Sequence, residues 1–104
     1  MNKEHQLKKA RDILLKHQGK KNQIKSKKIA EKLGIFEDDT KAQTRALLFQ
    51  CAEKYELPLA ADQGGYFLID SDEEYEKYME NLEKRKKGIE KREKLITKNY
   101  KSKK

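Results

Sequence analysis

The chain has a single cysteine, Cys51, in its 104 residues. An internal disulfide is therefore excluded, and a lone thiol fits a reducing compartment, so the expected location is cytoplasmic. Apolar runs stop at roughly five residues, far short of the ~20 that a membrane span needs. The N-terminal stretch MNKEHQLKKARD lacks the apolar segment of a secretory signal. The two histidines, His5 and His17, stand twelve residues apart with no cysteine pair to join them, so no zinc site is expected. The acidic run Glu37-Asp38-Asp39 lacks the spacing and the glycine of an EF-hand loop. No glycine-rich phosphate loop precedes a helix, and no nucleophile–base pair emerges from the spacing. Neither catalysis nor a bound metal or cofactor is expected.

What the chain does have is charge. Charged residues make up 42% and hydrophobic residues 35%, with a net charge of +8. A core built from so few apolar residues is small, and a body of about 80 residues sits near the lower size limit for independent stability. Some of the charge must lie outside that body. The charge is also segregated along the chain. Residues 1–33 hold 11 Lys/Arg against 3 Asp/Glu, residues 34–83 hold 4 against 13, and residues 84–104 hold 11 against 2. A polyanion would be drawn to the two ends and repelled by the middle.

Hydrophobic spacing places a first helix over 4–18, with Leu7, Ala10, Leu14 and His17 on its inward stripe, Ile13 widening it, and Gly19 as its C′ residue. Gln23 to Lys25 reads as a short strand or bridge around Ile24. Ser26 then caps a second helix whose inner face is Ile29, Ala30 and Leu33, ending at Gly34. Thr40 and Gln43 have capping-box spacing, so a third helix is expected from there to about Tyr55. Its inner face is Thr44, Leu47, Leu48, Cys51, Ala52 and Tyr55, and Phe49 sits toward the outer side. In ELPLAADQGGYFLID, Pro58 suits an edge strand, and Asp62-Gln63-Gly64-Gly65 suits a hairpin loop. Ser71 and Glu74 form a second capping box opening a last helix, from Asp72 to about Lys98. Tyr75, Leu82, Ile89 and Ile96 recur along it every seven residues. The second seam of a coiled coil fails, since it continues after Tyr78 as Arg85, Arg92 and Asn99.

The expected fold is therefore mainly α with a small β-hairpin. Helix, short strand, helix, helix, hairpin, helix is the order of a winged helix-turn-helix with a long C-terminal helix. Residues 1–71 would form the winged-helix core, 72–98 a long helix that packs on the core with its first half and projects with its second, and 99–104 a disordered basic tail. The segments IAEKLGI (29–35), TKAQTRALL (40–48), YELPL (55–59), GYFLI (65–69) and SDEEYEKYMENLEKRKKGIEKRE (71–93) resemble small winged helix-turn-helix proteins of phage and prophage replication regions. The resemblance spans roughly residues 5–100. It implies the fold and a DNA-binding role, as a transcriptional or replication accessory factor.

In such a fold the third helix enters the major groove. Ala42, Gln43, Ala46 and Gln50 would face base edges, with Lys41 and Arg45 beside them on phosphates. Gln43 has the competing role of closing the capping box. Lys20, Lys21, Lys25, Lys27 and Lys28 cluster ahead of and at the start of the second helix, where backbone N–H groups also favour anions. The hairpin loop carries no cation, unlike a wing that enters the minor groove. Double-stranded DNA is the expected partner. The alternative is a protein-interaction module, in which the acidic centre and Phe49 engage a replication or host-defence protein. A homodimer through the C-terminal helix is compatible with both, and no membrane association is expected.

Overall fold

The computed structural model describes residues 3–36 and 41–102. The expected acidic turn at Glu37-Asp38-Asp39 and the Thr40 cap lie outside the described residues. Among those described there are four α-helices: α1 (Lys3–Leu15), α2 (Ser26–Leu33), α3 (Ala42–Tyr55) and α4 (Asp72–Ser102). A 3-10 turn occupies Lys20–Asn22, and a two-stranded antiparallel hairpin joins β1 (Leu59–Asp62) to β2 (Gly65–Leu68). The protein is thus mainly helical, with one small hairpin and a long C-terminal helix. The chain divides into two compact units, Met1–Glu74 and Tyr75–Lys104. No helix among the described residues is long and apolar enough to cross a membrane.

The first unit is held by the apolar faces that the sequence periodicity marks. Leu7, Ala10, Ile13 and Leu14 of α1 are buried with Ile29 and Leu33 of α2 and Leu47, Leu48 and Cys51 of α3. Each fully buried leucine or isoleucine contributes roughly 1.5–3 kcal/mol of transfer free energy. Cys51 is completely buried, and its thiol donates to the Leu7 carbonyl at 3.5 Å. Burial pushes its pKa up, so it stays protonated and acts as a small core residue.

The hairpin register pairs Leu59 with Leu68 and Asp62 with Gly65, so the loop is two residues, Gln63-Gly64, rather than four. On its other side β2 meets the segment after α1. Ile24 and Tyr66 exchange both backbone hydrogen bonds at 2.8 Å, which realises the expected bridge around Ile24. Leu68 donates to the His17 carbonyl at 3.0 Å and accepts from Gly19 N–H at 2.8 Å. These contacts end α1 at Leu15, three residues short of its expected end. Gly19 is consequently not a helix C′ residue but the residue before the 3-10 turn. His17 lies beyond the helix end, where its Nδ1 donates to the Asn22 carbonyl at 2.7 Å.

Ser26 does not cap α2. The Ile24 bridge keeps Lys25 extended (φ −73°, ψ 147°), so Lys25 occupies the cap position and makes no side-chain cap bond. The second capping box forms by half. Ser71 Oγ accepts from Glu74 N–H at 3.2 Å, but the Glu74 carboxylate turns to two other backbone donors, Lys20 N–H at 2.9 Å and Asp70 N–H at 3.0 Å. Continuous helix then runs to Ser102, so residues 99–102 are helical where a tail was expected. The Lys-, Glu- and Arg-rich composition favours this helix, aided by the Glu80–Lys84 pair at 3.6 Å.

The two N–H bonds hold the Glu74 carboxyl below the ordinary glutamate range. A depressed folded-state pKa stabilises the fold above the unfolded-state pKa and loses that contribution as pH falls through the folded value. Glu74→Gln is therefore expected to lower the urea midpoint relative to wild type at neutral pH. The gap should close on acidification below the ordinary glutamate pKa. A gap independent of pH would show that the carboxylate charge is not what ties α4's start to Lys20.

Candidate nucleic-acid interface

Three of the expected phosphate ligands come from the starts of two helices and meet in one place. Lys25 is the residue before α2, Lys41 the residue before α3, and Arg45 sits one turn into α3. They line a cleft of about 250 Å³ together with Ser26, closed on the far side by the hairpin residues Asp62 and Tyr66. Each position has a local cause. The Ile24–Tyr66 bridge draws the start of α2 against β2. The left-handed backbone of Lys41 (φ 56°, ψ 27°) turns the chain into α3.

The residues at the two N-cap positions, Lys25 and Lys41, make no side-chain cap bond. Helix N-termini present N–H groups and a partial positive charge of about half a unit. The start of α2 therefore adds to the three cations. Ser26 Oγ, on the wall of the cleft, is buried without a hydrogen-bond partner. The chemistry of this donor set suits an oxyanion: a hydroxyl donor, two lysines and a guanidinium, with one carboxylate at the edge.

That carboxylate is Asp62, which sequence spacing places only in the hairpin loop. Its Oδ1 accepts from Gly64 N–H at 2.7 Å, and its Oδ2 lies 3.6 Å from Lys20 Nζ. Lys20 thus sits at the hairpin tip, its backbone N–H taken by Glu74 and its ammonium facing Asp62. Lys27 and Lys28 are exposed on the first turn of α2 and line an adjoining cleft, shared with Lys25, in which Lys32 and His17 also take part. Lys21 is exposed in the 3-10 turn. Gln43 lies apart from these candidate cations. With Ala46 and Gln50 it lines a separate groove beside Gly34 and Phe36.

Five of the eight candidate residues, Lys25, Lys27, Lys28, Lys41 and Arg45, are thus on two clefts joined at Lys25. Ser26 and Asp62 were missed as site residues. Ser26 was read only as a cap, and nothing local in the sequence places the hairpin loop across from α3. Among the described residues, no group of three His, Cys, Asp or Glu side chains could hold a metal ion. No protein-family model, no curated protein and no solved structure matches this chain.

Proposed function

We propose that this protein is a winged helix-turn-helix that binds double-stranded DNA, of the mobile-element type its sequence resembles. It would serve as a transcriptional or replication accessory factor. The observation that carries the reading is the convergence of Lys25, Lys41 and Arg45 between the starts of α2 and α3 and the hairpin. The Ile24–Tyr66 bridge supports it too, because it adds a third extended segment to the hairpin, as a wing requires. In this reading α3 is the recognition helix, Gln43 and Gln50 face base edges, and the cations hold phosphates on the flank.

Fluorescence anisotropy with duplex DNA across a salt series tests this directly. Phosphate contacts by Lys25, Lys27, Lys28, Lys41 and Arg45 give log K a slope of about −4.5 against log salt, at roughly −0.9 per contact. No binding at low salt would sink the proposal. Phe49, 65% exposed on α3, favours a second reading, in which α3 docks a protein. The two readings separate at Glu53, which is exposed on the same helix. If DNA is the ligand, Glu53→Lys tightens duplex binding and Phe49→Ala leaves it unchanged.

A further inference from the structure

No residue of α4 is buried. Tyr75, Met79, Leu82, Ile89, Ile96 and Tyr100 are all exposed, and at 100° per residue they fall within an arc of roughly 100°. Leu95 points to the opposite side. The helix therefore presents one continuous apolar stripe, about 39 Å long from Tyr75 to Tyr100 at 1.5 Å per residue.

The charges on the same helix are divided end to end. From Asp72 to Glu83 there are six carboxylates against one lysine. From Lys84 to Lys101 there are nine cations against two carboxylates. The sign changes between Glu83 and Lys84. The seven-residue spine Tyr75, Leu82, Ile89, Ile96 has its midpoint between Arg85 and Lys86. The centre of the stripe and the change of charge thus coincide within two residues. A surface whose two halves are opposite in charge and alike in apolar content is complementary to itself turned end for end.

We propose that α4 pairs with α4 of a second copy of this chain, antiparallel, about a twofold axis between Arg85 and Lys86. Leu82 then packs on the partner's Ile89, and Tyr75 on the partner's Ile96. The acidic half of each helix lies along the basic half of the other, and the helix dipoles oppose. In a parallel, in-register pair the carboxylates would face carboxylates, and Arg85 and Arg92 would each meet themselves in the second seam. Antiparallel pairing has one cost, since the cations Lys84 to Lys87 approach their own copies at the axis. They are exposed, and long basic side chains carry the charge into water while their stems cover apolar surface. This inference does not depend on DNA being the ligand.

The test uses the full chain. Sedimentation equilibrium is expected to give a dimer, with the dissociation constant raised about tenfold or more by Leu82→Gln or Ile89→Gln. Each of those substitutions is felt twice across a twofold axis. Glutamine is a good helix former and neither residue is buried, so circular dichroism should show α4 intact. Spin labels at Thr97→Cys report the orientation, Cys51 being buried and out of reach of the label. The antiparallel pair separates them by about 35 Å along the axis, whereas a parallel pair brings them to about 10 Å. A monomer at high concentration, a dimer indifferent to both glutamine substitutions, or the short distance would each overturn the proposal.

Discussion

Replacing Gly65 with alanine is expected to destabilise the first unit by about 2–6 kcal/mol, while the same change at Gly64 costs about 1 kcal/mol or less. The two glycines are neighbours at the hairpin tip, and a side chain at either one would run into Gln23 to Lys25. At Gly64 the obstacle is the Gln23 side-chain amide, the far end of a flexible chain that can swing aside. At Gly65 it is the Ile24 carbonyl and the peptide that follows, which are backbone and already hydrogen-bonded to Tyr66. Gly65 also has φ of +131°, a conformation that L-residues rarely adopt. Alanine there adds about 1–3 kcal/mol of backbone strain. It also forces apart the Ile24–Tyr66 bridge, whose two hydrogen bonds are each worth about 0.5–1.5 kcal/mol. A domain of this size sits at the low end of the usual 5–15 kcal/mol of stability, so the Gly65 variant should be substantially unfolded at 37 °C. Urea denaturation followed by far-ultraviolet circular dichroism measures both variants. Equal costs at the two positions would show that the bridge does not anchor the hairpin.

That contrast also marks where the sequence stops being legible. The inner faces of α1, α2 and α3 could be read because burial repeats with the helix period, and Leu7, Leu14, Ile29, Leu33, Leu48 and Cys51 are all buried as the spacing requires. The hairpin could be read from two short apolar runs around two glycines. What could not be read is every feature set by contact between distant segments. Ser26 looked like a cap because capping is a local rule, but the bridge from Ile24 to Tyr66 decides where α2 starts. Ser71 and Glu74 had capping-box spacing, yet the Glu74 carboxylate prefers the N–H of Lys20, 54 residues away. The α1 end followed the same logic, because β2 competes for the backbone of His17 and Gly19. For the candidate site the residue types were visible and their grouping was not. Lys20 stood beside Lys21 and Lys25 in the sequence but faces a carboxylate in the structure. Lys41 and Arg45, some 16 to 20 positions from Lys25, join it in one cleft.

This grouping gives the sharpest test of the DNA reading. The triple variant Lys25→Gln/Lys41→Gln/Arg45→Gln is expected to weaken duplex binding about 500-fold at 0.1 M salt. Each phosphate contact contributes a factor of about 8 there, because it releases counterions into dilute salt, and three such factors multiply. The same variant should flatten the slope of log K against log salt by about 2.7, the sum of three contacts. Asp62 supplies the opposite sign. It lines the cleft as a carboxylate, so Asp62→Asn should tighten binding while its amide oxygen keeps the bond to Gly64 N–H. Gln43 supplies a control, since it lies in another groove and a base contact releases no counterion. Gln43→Ala should change the preference among duplex sequences and leave the salt slope as it was. Cations acting only through net charge would give a different pattern: removing any three exposed lysines, such as Lys8, Lys9 and Lys16 of the α1 region, would weaken binding as much as removing the cleft residues. Equal losses from the two triple variants would therefore assign the binding to diffuse attraction and leave the cleft without a role.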